Sequence, residues 1–72
     1  MREADRSFEP GHRCRTLHPI PHPAGRLSRN AEGTVLSTRE NLGRQLITVG
    51  FDAGPKVVLF PHEIEPASDT TR

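Results

Sequence analysis

The residues best suited to chemistry lie in the first third of the chain, where His12, Cys14, His18 and His22 fall within eleven positions. Zinc accepts imidazole and thiolate ligands in tetrahedral sets, and a spacing of four, as from His18 to His22, brings two imidazoles together on a helix. Pro19 and Pro21 forbid that helix, and Cys14 is the only cysteine, whereas structural zinc motifs ordinarily begin with paired cysteines. These histidines are therefore read as exposed loop residues and no metal is expected; a metal-binding His/Cys loop is the second alternative. Cys14 stands between Arg13 and Arg15, whose charge would favour a thiolate if the group were exposed. A free thiol on a strand more often packs as a small hydrophobe, so Cys14 is expected to face inward. Ser28 and Ser37 have no identifiable base, Glu63 and Glu65 read as solvated charges, and no glycine pattern matches a phosphate-cradling loop. The expectation is a protein with no catalytic residue and no cofactor, not an enzyme.

The remaining functional signal is arginine. Nine of the ten basic residues are Arg, whose planar fork suits bidentate contact with carboxylate or phosphate. Residues 1–29 carry a surplus of three positive charges and residues 30–72 a surplus of two negative ones, within a net charge of +1. Arg13, Arg15, Arg26, Arg29, Arg39 and Arg44, with His18 and His22, are the candidate partner-binding residues. They form one basic face if the first strand, the long loop and the following turn cluster. A protein partner is expected. Nucleic acid is the alternative, because phosphate contacts give sequence-independent affinity. Against it stand a pI of about 8.1 and a chain with no Tyr or Trp on which bases could stack.

These side chains must be positioned by a small domain. Seventy-two residues allow one domain near the lower limit for a self-sufficient core. Twelve of the sixteen Leu, Ile, Val and Phe residues lie between Gly33 and Ile64, so the core is expected mainly in the second half. Seven prolines and six glycines exclude any long helix. Residues 1–9 and 67–72 read as flexible tails around a β domain over residues 10–66. Residues 12–17 alternate as a first strand, with Cys14 and Thr16 on one face and Arg13, Arg15 and Leu17 on the other. Pro19-Ile20-Pro21-His22-Pro23 removes ladder donors, so residues 19–31 are expected to be a long Pro/His loop.

From Glu32 the chain becomes β-branched. Residues 33–38, 45–51 and 56–60 read as three strands joined by short turns, the first turn drawing its permissive backbone from Asn41 and Gly43. Such a meander pairs antiparallel. Pro61 to Ile64 reads as a tight 3₁₀ turn before a last short strand. Val35, Leu46 or Ile47, Val49, Phe51, Val58, Phe60 and Ile64 are the expected core.

In this order, Phe8-Glu9-Pro10-Gly11 before a first strand, Glu32-Gly33-Thr34-Val35 opening the second, Val49-Gly50-Phe51-Asp52-Ala53-Gly54 and Phe60-Pro61-His62-Glu63-Ile64-Glu65 resemble the SH3-like barrel over residues 8–66. The layout is similar to small bacterial accessory subunits: the photosystem I subunit IV family, the SH3-like subunit of the photosynthetic NADH-dehydrogenase-like complex, and a nitrogenase-maturation accessory family. The resemblance implies an all-β, five-stranded antiparallel barrel. It also implies a non-catalytic accessory subunit that binds proteins of a larger, often redox, complex. No apolar run approaches the roughly 20 residues of a spanning helix, and no signal-like segment follows Met1. One cysteine cannot form an internal disulfide. A cytoplasmic protein, monomeric when isolated and not inserted in a membrane, is expected.

Overall fold

The computed structural model describes residues 8–67. Of the tails expected over residues 1–9 and 67–72, residues 1–7 and 68–72 lie outside the described residues, while Ala67 is buried and its N–H donates to the Arg13 carbonyl at 3.0 Å. Seven strands form two antiparallel sheets: β1 (Arg13–Thr16), β2 (Ile20–His22), β3 (Gly25–Leu27), β4 (Glu32–Asn41), β5 (Arg44–Phe51), β6 (Lys56–Leu59) and β7 (Ile64–Pro66). A 3₁₀ turn over Pro61–Glu63 separates β6 from β7, as the position of Pro61 leads one to expect. No α-helix occurs among the described residues.

The larger sheet runs β6-β5-β4-β1-β7 and the smaller is the β2-β3 hairpin. Five antiparallel strands are thus present, but the expected closed barrel is not: β6 and β7 end the order without pairing to each other. Two-residue alternation sets the inner face. Ile47, Val49 and Phe51 of β5 are buried, and Val35 of β4 lies opposite Val49. A bulge between Val35 and Ser37 leaves Leu36 unpaired and turns both Leu36 and Ser37 outward, so that Thr38 meets Ile47.

The hairpin joining β5 to β6 fixes the inward residues of the latter. Leu59 pairs with Ile47 and Val57 with Val49, which turns Val58 to the outside beside Thr48. The core member is therefore Leu59, at 3% exposure, and not Val58, at 56%; Phe60 is half-buried. A continuous apolar run, Val57-Val58-Leu59-Phe60, has no polar partner to mark its two faces, and the pairing decides them.

Two other expectations are corrected. Residues 19–31 are not a structureless loop, because Ile20 pairs with Leu27, Pro21 with Arg26 and His22 with Gly25. Both strands of that hairpin are edges, where proline is tolerated. Phe8, placed in the N-terminal tail by composition, is buried in the core with Cys14, Ile20, Leu27, Val35, Ile47, Val49, Phe51, Leu59 and Ile64. The Gly11 N–H donates to the Val35 carbonyl at 2.8 Å and Val35 returns a bond to His12, which holds the entering chain against β4.

Candidate functional site

β1 alternates between the two faces, burying Cys14 and Thr16 and presenting Arg13 and Arg15 outward. Arg13 sits opposite Thr34 of β4 and reaches the turn after β5. Its Nη1 donates to Asp52 Oδ1 at 2.9 Å and its Nη2 to Asp52 Oδ2 at 2.6 Å, a bidentate fork. The same guanidinium donates to Thr34 Oγ1 at 3.0 Å and to Glu32 Oε1 at 3.3 Å. The Asp52 carboxylate raises the Arg13 pKa, and in return Arg13 holds the Asp52 carboxyl below its usual range. Arg15 pairs across to β7, its Nε donating to Glu65 Oε2 at 2.6 Å, and the same carboxylate raises its pKa. These two arginines stitch neighbouring strands and turns together.

The other candidate cations are placed on different elements. Arg26 lies on β3 opposite Pro21, and Arg29 follows that strand; both are exposed. Arg39 and Arg44 stand on β4 and β5, opposite Leu46 and Asn41 respectively. None of these four forms a salt bridge among the described residues. A concavity of about 400 Å³ at the end of the β4–β5 hairpin is lined by Thr38, Arg39, Glu40, Gly43 and Gln45. A second, of about 330 Å³, is lined by Arg44, Gln45, Phe60, Pro61 and His62. There the Arg44 guanidinium lies 5.6 Å from the centre of the Phe60 ring, which stacks on His62 at 5.7 Å.

The histidines expected in the site go elsewhere. His22 Nδ1 accepts the Ala24 N–H at 3.3 Å at the tip of the β2–β3 hairpin. His18 Nε2 lies 3.9 Å from Glu63 Oε2. Cys14 is fully buried, and loss of water pushes its thiol up to about 11, the reverse of an activated nucleophile. Among the described residues no three His, Cys, Asp or Glu side chains are grouped to hold a metal ion.

Sequence reasoning missed a feature at the β4–β5 hairpin. β4 extends to Asn41, so the turn is the two-residue Leu42-Gly43, with φ of 55° and 81°. Two positive φ values mark the hairpin turn that favours Asn-Gly. Here the first position carries a leucine that is 95% exposed. The signal available in the sequence was the Gly43 that follows it, which reads equally well with Asn41 as the bend. Comparison with known proteins finds no family model, no curated protein and no solved structure that matches this chain.

Proposed function

We propose that this chain is a non-catalytic protein-binding module of the SH3-like type, an accessory subunit of a larger assembly, cytoplasmic and monomeric when isolated. The observation that carries the reading is Leu42. A non-glycine residue in the left-handed region costs roughly 1–2 kcal/mol, and Leu42 is 95% exposed, so no core burial offsets that cost. Strain retained at an exposed apolar side chain is typical of positions that contact something outside the fold. Leu36 at 44% and Val58 at 56% exposure add apolar surface to the outer sheet face.

The test is recovery of a stoichiometric protein partner from native lysate of the source cell, first with the wild-type chain and then with Leu42→Asn. Capture by the first and loss by the second is the expected result. Absence of any stoichiometric partner refutes the reading. A second reading, nucleic-acid binding, draws on the four arginines without salt bridges and on the Phe60–His62 stack. Titration with a generic oligonucleotide at two salt concentrations decides it, since phosphate-led binding must weaken steeply with salt.

A further inference from the structure

The outer edge of β6 has its backbone groups aimed away from the sheet. Phe51 N–H donates to the Pro55 carbonyl at 2.9 Å, closing the β5–β6 hairpin. Alternation along an antiparallel ladder then makes Val49–Val57 and Ile47–Leu59 the hydrogen-bonded pairs, which turns the N–H and C=O of Lys56 and Val58 outward. One step further, the outward row is capped: the Glu63 carboxylate Oε1 accepts the Phe60 N–H at 2.9 Å. β6 pairs with no strand but β5 among the described residues. The edge therefore offers two donors and two acceptors in a defined register.

We propose that β6 is a docking edge for an extended segment of a partner protein, of the pattern acidic–x–apolar–x–acidic, which adds to the sheet as a strand. The proposal rests on the protein-binding reading and names the chemistry of the partner. Main-chain bonds to Lys56 and Val58 supply affinity, and alternate side chains supply selectivity. On the outer face the incoming strand meets Lys56, then the exposed Val58, then Phe60 with Arg44 beside its ring. Lys56 and Arg44 form no salt bridge among the described residues, so each end of the track is a cation without a carboxylate. An apolar residue opposite Val58 and an acidic one two positions to either side complement that track. A second copy fits poorly: antiparallel self-pairing of β6 would set Lys56 against Val58 of the copy and bring no carboxylate to either lysine. Edge lysines are the usual device against such self-pairing.

The experiment titrates the full ¹⁵N-labelled chain with the peptide acetyl-Gly-Glu-Thr-Val-Thr-Glu-Gly-amide, and separately with its analogue carrying Lys at both Glu positions. The expected result is shifted Lys56 and Val58 amide signals with the Glu peptide only, their hydrogen exchange slowing by about tenfold at saturation. Lys56→Glu combined with Arg44→Glu should reverse the preference between the two peptides. Val58→Pro removes an outward donor without touching the β5 ladder and should abolish binding. Should that variant unfold, the charge reversal alone decides. Equal response to both peptides, no response, or Lys56 and Val58 amides already protected in dilute free protein overturns the proposal. A native partner captured equally by the wild type and by the charge-reversed chain overturns the docking edge while leaving the protein-binding reading intact.

Discussion

Replacing Gly33 with alanine is the severest one-methyl change the structure offers. Gly33 lies in the central strand β4, opposite Cys14 of β1 on one side and Phe51 of β5 on the other. A methyl group there would stand 2.8 Å from the Gly50 carbonyl oxygen, 2.8 Å from Val49 Cγ1 and 2.9 Å from Phe51 Cα. Carbon atoms in contact prefer about 3.5–4.0 Å, so β4 and β5 must separate by several tenths of an ångström at the middle of the sheet. Overpacking of this kind costs about 1–3 kcal/mol. A chain of this length has a total stability on the order of 4–11 kcal/mol. At about 4–8 °C per kcal/mol for a domain of this size, the melting temperature should fall by about 4–24 °C. Gly50→Ala is the control. The three atoms nearest its methyl group all belong to Leu36, the closest being Cδ1 at 3.1 Å, and that half-exposed side chain can swing into solvent. Because glycine in a strand interior is itself unfavourable by roughly 0.5–1 kcal/mol, Gly50→Ala should melt near the wild type or slightly above it. Thermal unfolding followed by circular dichroism ranks the three proteins. A Gly33→Ala chain melting within about 3 °C of the wild type, or below which Gly50→Ala falls, would refute the close approach of β4 and β5.

Leu59→Ala should cost about 2–5 kcal/mol and Val58→Ala less than about 1 kcal/mol, read by denaturant unfolding; the opposite order would mean that β6 presents its other face to the core. Leu42→Asn should raise the melting temperature by about 4–8 °C by relieving a left-handed leucine, while weakening partner capture. Burial lifts the Cys14 thiol from 9.0 in the unfolded chain to about 11, so the folded state keeps its proton while the unfolded state loses it. Stability should therefore be fully present below pH 9 and decline as pH rises towards 11, by about 3 kcal/mol over the two units. Cys14→Ala should flatten that decline, and equal slopes for both chains in urea melts at pH 8 and pH 10.5 would contradict it.

What could be read from residue order, and what could not, divides along a physical line. Ile47, Val49 and Phe51 are separated by residues that pack less, so their shared face was visible, and the same alternation correctly turned Cys14 inward and Arg13 outward. Val57 to Phe60 lacks polar markers, and the choice between its faces waits on one backbone bond, from Phe51 to Pro55. Whether Arg13 and Arg15 were free depended on Asp52, Glu32 and Glu65, carboxylates distant in sequence that only the strand order brings near. The left-handed Leu42 escaped notice because Asn41 and Gly43 are the residues that usually carry such backbone, and the strand runs to Asn41, three residues beyond its expected end at Thr38.

An open sheet must have its inner face covered by something other than its own closure, and the first half of the chain provides the cover. In the β2–β3 hairpin Ile20 and Leu27 are direct partners, so both side chains leave the same face, and both are buried within one cluster with the residues of β4, β5 and β6. Thr16 fastens the hairpin to the sheet. Its hydroxyl donates to the Ser28 carbonyl at 3.0 Å and accepts the Ala31 N–H at 3.0 Å, while its backbone exchanges two further bonds with Asn30 and Ala31. A fully buried hydroxyl with both roles satisfied is worth more as a clasp than its small volume suggests. The Pro/His segment expected as a long loop is thereby held to the core through Ile20 and Leu27. With Arg13 and Arg15 engaged by carboxylates as well, the proposed protein-binding reading assigns recognition to Leu42, Arg44 and the outward edge of β6, which make no comparable commitment to the fold.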